Sequence, residues 1–187
     1  MEKILITGTG RCGTTFLIKL FSFLGFDTGF NRDNYGLSIS SNCNSGMERE
    51  YHKNYYILKN PTFIQNIENI VKDTSIKIKK VIIPIRDLKL SAKSREKHGY
   101  KNGGLWCATD ELSQFEFYKS LLSNYIYIST KYEIDTVFLD FDNMVNDKLY
   151  LFNKLKSILD EKNIDLETFT KVYDEVSITS KPNFTNN

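Results

Sequence analysis

The sequence predicts an α/β fold, a parallel sheet covered by helices on both faces, and three observations carry that prediction. Short apolar runs alternate with longer amphipathic segments along the chain. The first run, Ile4–Thr7, breaks at a glycine-rich turn and passes straight into helical periodicity. Polar or charged residues stand directly after the strand-like runs, at Lys59-Asn60, Arg86-Asp87 and Asp140. Strands that alternate with helices form parallel sheets. A sheet of about four to five such strands would gather these residues at one edge, beyond the strand carboxyl ends where ligands bind.

The elements follow in order. Ile4–Thr7 is the first strand, and the segment from Thr14 to Leu24 is a helix closed by Gly25 at its C′ position. Residues 27–54 are polar and rich in Asn, Ser and Gly, which predicts a long irregular segment facing a substrate. Tyr55–Leu58 is a second strand, after which Asn60 caps a helix that has Pro61 at its first position. Val81–Ile85 is a third strand, although Pro84 argues against a central place in the sheet. Asp87 to Lys97 is helical, residues 98–107 form a glycine-containing loop, and a long helix runs from Thr109-Asp110-Glu111 to about Lys131. Val137–Leu139 is another strand, and Asp147 to Glu161 is amphipathic. Repeats and linkers are absent from the pattern, so residues 1–187 are expected to form a single domain.

Composition excludes several classes. Of 187 residues, 41% are hydrophobic and 26% charged, as in ordinary soluble proteins. A net charge of +2 lacks the basic excess of a nucleic-acid binder, and Lys77-Ile78-Lys79-Lys80 reads as a solvated surface. Apolar runs fall far short of the roughly twenty residues of a membrane span. The stretch Ile4–Ile6 is too short for a secretory leader. Cys12, Cys43 and Cys107 are odd in number and widely spaced, which predicts reduced thiols, no zinc site and a cytoplasmic location.

The chemistry starts at Gly8-Thr9-Gly10-Arg11-Cys12-Gly13-Thr14-Thr15. Glycines let backbone N–H groups converge, and the positive end of the following helix points at the same place, so a phosphate site is expected there. Gly8 and Gly13 have the spacing of a Walker A loop, but Thr14 stands where an NTPase carries lysine, and the loop's cation is Arg11. The predicted architecture is therefore a three-layer sheet of the P-loop type without the usual ATPase site. A tyrosine-phosphatase reading of Cys12 fails because Ile18 occupies the required arginine position. A second candidate anion site is Arg86 with Ser94, eight residues apart at a strand end and two turns into a helix. Arginine supplies a planar fork for phosphate oxygens, and serine adds a hydroxyl.

Gly-x-x-Arg-x-Gly-Thr-Thr after the first strand, followed later by Arg-x7-Ser, resembles the sulfotransferase family, which uses 3′-phosphoadenosine 5′-phosphosulfate as sulfuryl donor. The resemblance covers roughly residues 3–160. It implies that Gly10, Arg11, Cys12, Gly13, Thr14 and Thr15 bind the 5′-phosphosulfate and that Arg86 and Ser94 bind the 3′-phosphate. Ile57-Leu58-Lys59-Asn60-Pro61 is similar to the family's strand ending in a lysine that stabilises the transferring group. Val137–Val145 is similar to its later strand and turn. By the same resemblance Arg11 stabilises charge electrostatically, since a guanidinium hardly deprotonates. Cys12 occupies a position that usually holds serine. No metal is implied, because sulfuryl transfer needs positioning and charge neutralisation.

The acceptor's general base stays open among Glu48, Glu50 and His52, which lie between the first loop and the lysine strand, with Asp33 a weaker candidate in the same interval. Where cytosolic family members place their histidine, this chain has Pro61. His98 reads as a solvated loop residue, Trp106 as packing or as a stacking surface, and Phe115, Phe117, Tyr118 and Tyr125 as core. Lys181 stands in a C-terminal segment that lacks the family's glycine pair. The expected partner is a small-molecule, sugar or peptide acceptor, with no nucleic acid and no membrane, and the oligomeric state is not encoded in the pattern. A P-loop kinase and a degenerate nucleotide-binding module are the competing readings.

Overall fold

A computed structural model describes residues 1–40, 45–100 and 103–180. Cys43 and Lys181 lie outside the described residues. Strand β1 (Glu2–Ile6) leads through the glycine loop into helix α1 (Thr14–Phe23). After α1, Gly25 adopts φ 81°. Its N–H donates to Ser22 O while the N–H of Phe26 donates to Phe21 O, the paired closure that a left-handed residue permits. A 3₁₀ turn at Tyr35–Ser38 precedes two short strands, β2 (Ile39–Ser40) and β3 (Ser45–Gly46), which pair antiparallel. This small hairpin lies within the stretch expected to be irregular.

Strand β4 (Ile57–Lys59) is followed by α2 (Phe63–Lys72), which begins two residues later than Pro61. The Asn60 backbone is still tied to the sheet, its N–H donating to Ile6 O. Its side-chain oxygen instead accepts from Thr62 N and Thr62 Oγ1, an Asx turn that delays the helix. Strand β5 (Lys77–Ile85) leads to α3 (Leu88–Glu96), capped by Asp87, and then to α4 (Glu111–Lys131), opened by a capping box between Asp110 and Ser113. Strand β6 (Thr136–Asp140), α5 (Phe141–Asn146), α6 (Lys148–Leu159), a 3₁₀ turn at Asp160–Lys162 and α7 (Leu166–Ser180) complete the described chain.

The main sheet has the order β4-β1-β5-β6 with every pair parallel. The chain leaves β1 to add β4 on one side and returns to add β5 on the other, so the crevice between β1 and β5 is the topological switch point. Pro84 sits in β5, between β1 and β6, without disrupting the ladder. Val81 donates toward β6, so the nitrogens of Ile82 and Pro84 face β1. The β1 ladder ends at the Ile6–Ile82 pair, one step before a proline N–H would be required.

Two apolar layers cover the sheet. Ile4, Ile6, Ile57 and Ile82 pack with Leu17, Phe21, Leu155, Phe169 and Tyr173 from α1, α6 and α7. Leu5, Leu58, Val81 and Ile83 pack with Ile64, Ile67, Ala92, Tyr118 and Tyr125 from α2, α3 and α4. Alternate residues of one strand face opposite layers, the two-residue period of a pleated strand.

Candidate functional site

The glycine loop bends in the left-handed region at Gly10 (φ 75°), Arg11 (φ 56°) and Gly13 (φ 87°). At two of these positions an added side chain would also meet the end of a neighbouring side chain. A Cβ on Gly10 would lie 2.1 Å from Nη2 of Arg95, and one on Gly13 would lie 2.4 Å from Cε of Met144. Gly13 caps α1 without a side chain, so the N–H groups of Thr14, Thr15 and Phe16 face the loop with no intrahelical acceptor. Amides in successive turn and left-handed conformations form an anion-binding concavity. Cys12 is fully buried beneath this loop, and burial pushes its thiol above the ordinary range. A thiol held protonated in this way packs and does not act as a nucleophile.

Residues expected to hold the second anion converge on Arg11. Nη1 of Arg86 donates to the Arg11 carbonyl at 3.2 Å, and its guanidinium lies over Phe141, 4.9 Å from the ring centre. Nε of Arg11 donates to Ser94 Oγ at 3.3 Å. The Arg11 guanidinium also reaches 3.5 Å from Nε2 of His98. His98 is thus half-buried against the glycine loop and not a solvated loop residue. Burial and the Arg11 charge both lower its pKa. The β5-to-α3 turn, stopped by the Asp87 cap, carries Arg86, Ser94 and His98 to the same side of the loop.

On the other side stands Lys59, at the end of β4 and 1% exposed. Its ammonium donates to Thr15 Oγ1 at 3.3 Å, to Gly46 O at 2.9 Å and to a carboxylate oxygen of Glu48. Local backbone places that carboxylate. A Cβ on Gly46 would lie 1.8 Å from Ser38 O, Met47 turns at φ 62°, and Arg49 N donates to Lys59 O at 3.0 Å. The turn carries Glu48 over the lysine and leaves its side chain 40% exposed.

Glu50 and His52 are not brought there. Glu50 is exposed and turned away, with its carbonyl closing a turn to Lys53. His52 is exposed near Asp73 at the far end of α2, and Lys53 O next to it accepts from Lys3 near the start of β1. That is the sheet's amino-terminal edge, opposite the loop. The three candidates are close in sequence, but the chain runs the height of the sheet between Glu48 and His52. Asp33 lies exposed in a turn stapled by Asn31, also away from Lys59.

Two open cavities adjoin the ion pair. One, of about 500 Å³, is lined by the β2–β3 hairpin with Ser38, Ser40 and Ser45. The other, of about 340 Å³, is lined by Asn60, Thr62, Arg95, Tyr100 and Trp106. Glu48 and Gly103 border both. Trp106 packs edge-on against Phe117 and its backbone N–H donates to Gln114 Oε1, so it combines packing with a wall position. Arg95 was not singled out by the sequence. Its only local signal is adjacency to Ser94, and an arginine in a basic helix reads as surface.

Among the described residues, no group of three or more His, Cys, Asp or Glu side chains is placed to hold a metal, and no helix is long and apolar enough to cross a membrane. The chain matches no protein-family model, no curated protein and no solved structure.

Proposed function

We propose that this protein is a sulfotransferase that moves a sulfuryl group from 3′-phosphoadenosine 5′-phosphosulfate to a hydroxyl or amine acceptor. The observation that supports this most is the buried Lys59 ammonium, which bridges the phosphate loop at Thr15 and the carboxylate of Glu48 on a cavity wall. A lysine there reaches both the donor's bound end and the acceptor's base. Arg86 and Ser94, each bonded to Arg11, support a second anion site beside the loop for the 3′-phosphate of that donor.

In this reading the loop amides of residues 10–15 and the Arg11 guanidinium hold the phosphosulfate, while Arg86 and Ser94 hold the 3′-phosphate. The acceptor oxygen attacks sulfur in line as the sulfur–oxygen bond to the 5′-phosphate breaks. Glu48 takes the acceptor proton, and adenosine 3′,5′-bisphosphate leaves with the bonding electrons. Lys59 and Arg11 neutralise charge that grows on the bridging and equatorial oxygens, the positioning and electrostatic work known from phosphoryl transfer.

Thermal unfolding with adenosine 3′,5′-bisphosphate, ATP-magnesium and AMP tests the donor site. At a hundredfold excess over Kd the bisphosphate should add about 2.7 kcal/mol, raising Tm by roughly 5–11 °C for a chain of this size. Labelled donor should then pass label to a hydroxyl acceptor. Stabilisation by ATP-magnesium in preference to the bisphosphate would overturn the proposal in favour of a kinase. Bisphosphate binding without transfer to any acceptor would leave a nucleotide-binding module.

A further inference from the structure

Arg95 is buried to nine-tenths of its surface, near the end of α3. A guanidinium is charged at any physiological pH, and removing it from water is costly unless an anion or several acceptors compensate. Its surroundings compensate little. Nη1 donates to Gly104 O, while Nε has no hydrogen-bond partner among the described residues. Its remaining neighbours are the rings of Trp106, 5.4 Å away, and Tyr118, 6.0 Å away. The described ion pairs include none to Arg95. The Tyr118 hydroxyl is buried beside this guanidinium, which acts to lower its pKa while burial holds it up at about 12.

This charge also lines the 340 Å³ cavity that runs to Glu48, on the acceptor side of the loop. Gly10 separates it from the Arg11–Arg86–Ser94 cluster. We propose that Arg95 is the docking point for an oxyanion of the acceptor, so that the acceptor is an acid, carrying a carboxylate or a sulfate ester besides the hydroxyl or amine that reacts. Nη1 is engaged by Gly104 O and Nη2 lies against Gly10, which leaves the buried, unpartnered Nε as the donor that an oxyanion at the guanidinium would satisfy. Trp106 and Tyr100 line the same cavity, where the body of such a molecule would lie. This inference rests on the sulfuryl-transfer reading for the acceptor's role but not for the anion site itself.

The test uses matched probes on protein saturated with adenosine 3′,5′-bisphosphate. 4-Hydroxybenzoate is compared with 4-hydroxybenzamide, methyl glucuronide with methyl glucoside, and 4-hydroxyphenyl sulfate with the parent diol, each by calorimetry. The charged member of at least one pair should bind about tenfold tighter or more, the strength of a charge-assisted hydrogen bond. The carboxylate and sulfate arms separate the two sources of anion. Arg95→Gln should abolish the preference while bisphosphate affinity stays unchanged. Arg95→Lys, which retains charge without the Nε donor, should keep part of it. In ¹⁵N-labelled wild type, the Arg95 Nε–H signal should move with the charged probe and stay still with the neutral one, which needs no folded variant. Equal affinity within every pair, no binding by any probe, or lost bisphosphate affinity in Arg95→Gln would overturn the proposal. A protein whose Arg95 signal responds to the acids but which ignores the bisphosphate keeps the anion site and loses the sulfuryl-transfer reading.

Discussion

Glu48→Gln is the substitution whose consequences the structure defines most closely. The change keeps the side chain's shape and an acceptor oxygen but removes the negative charge from the Lys59 ammonium. Lys59 is 1% exposed and cannot turn to water, whereas the Glu48 side chain is 40% exposed and partly screened. Replacing a charge-assisted bond by a neutral one loses about 1–2 kcal/mol, and the exposure of Glu48 argues for the lower end. Contacts from Lys59 to Gly46 O and Thr15 Oγ1 persist, so the fold survives with Tm lowered by roughly 2–8 °C. If Glu48 is the base, the transfer rate falls about 10²–10⁴-fold with bisphosphate affinity unchanged. The assay is turnover of labelled donor under saturation, with bisphosphate titration alongside. Glu50→Gln and His52→Gln serve as comparisons, and each should leave both rate and Tm almost unchanged, since both residues are exposed away from Lys59. Full turnover in Glu48→Gln, or a large loss in His52→Gln, would refute the assignment.

Other substitutions probe the remaining parts. Lys59→Met should cut turnover about 10²–10³-fold, and combined with Glu48→Gln it should destabilise less than the two single changes added, because neither charge is then left alone. A urea titration would show strict additivity if the pair is not coupled. Arg86→Ala should weaken adenosine 3′,5′-bisphosphate about tenfold or more while leaving the fold intact, and unchanged affinity would mean the second phosphate lies elsewhere. Gly10→Ala forces a side chain into the left-handed region and against Arg95, so the urea midpoint should drop by the equivalent of about 1–3 kcal/mol. His98 has a folded-state pKa below its ordinary value of about 6.5, so the unfolded chain binds the proton more readily. Its contribution is therefore present above pH of about 6.5 and lost as pH falls toward the folded pKa. Tm should decline across that window in wild type and decline less in His98→Gln.

Much of the fold was legible in the residues because its signals are local. Alternating burial in Ile4-Leu5-Ile6 and Val81-Ile82-Ile83, the Gly25 closure and the Asp87 and Asp110 caps each act within a few residues. Elements that depend on distant partners were not legible. The β2–β3 hairpin has two residues per strand, too few for a periodic pattern, and α7 is held by α1 contacts such as Lys19 Nζ to Thr179 Oγ1 at 2.7 Å. Pro84 misled in the other direction, since its missing donor matters only if a partner strand continues beside it.

The sequence by itself determined the glycine loop and the turn from β5 into α3 that carries Arg86 and Ser94, because each is a strand–turn–helix unit set by short-range signals. Tertiary structure alone decided which carboxylate meets Lys59. Glu48 and His52 are four residues apart in the chain but belong to opposite ends of the sheet, a separation set by how 46–55 crosses β4. It alone also decided that Arg95 is buried without an acidic partner while Lys93 beside it is exposed, for burial depends on what α4 and the 103–106 loop place over the helix.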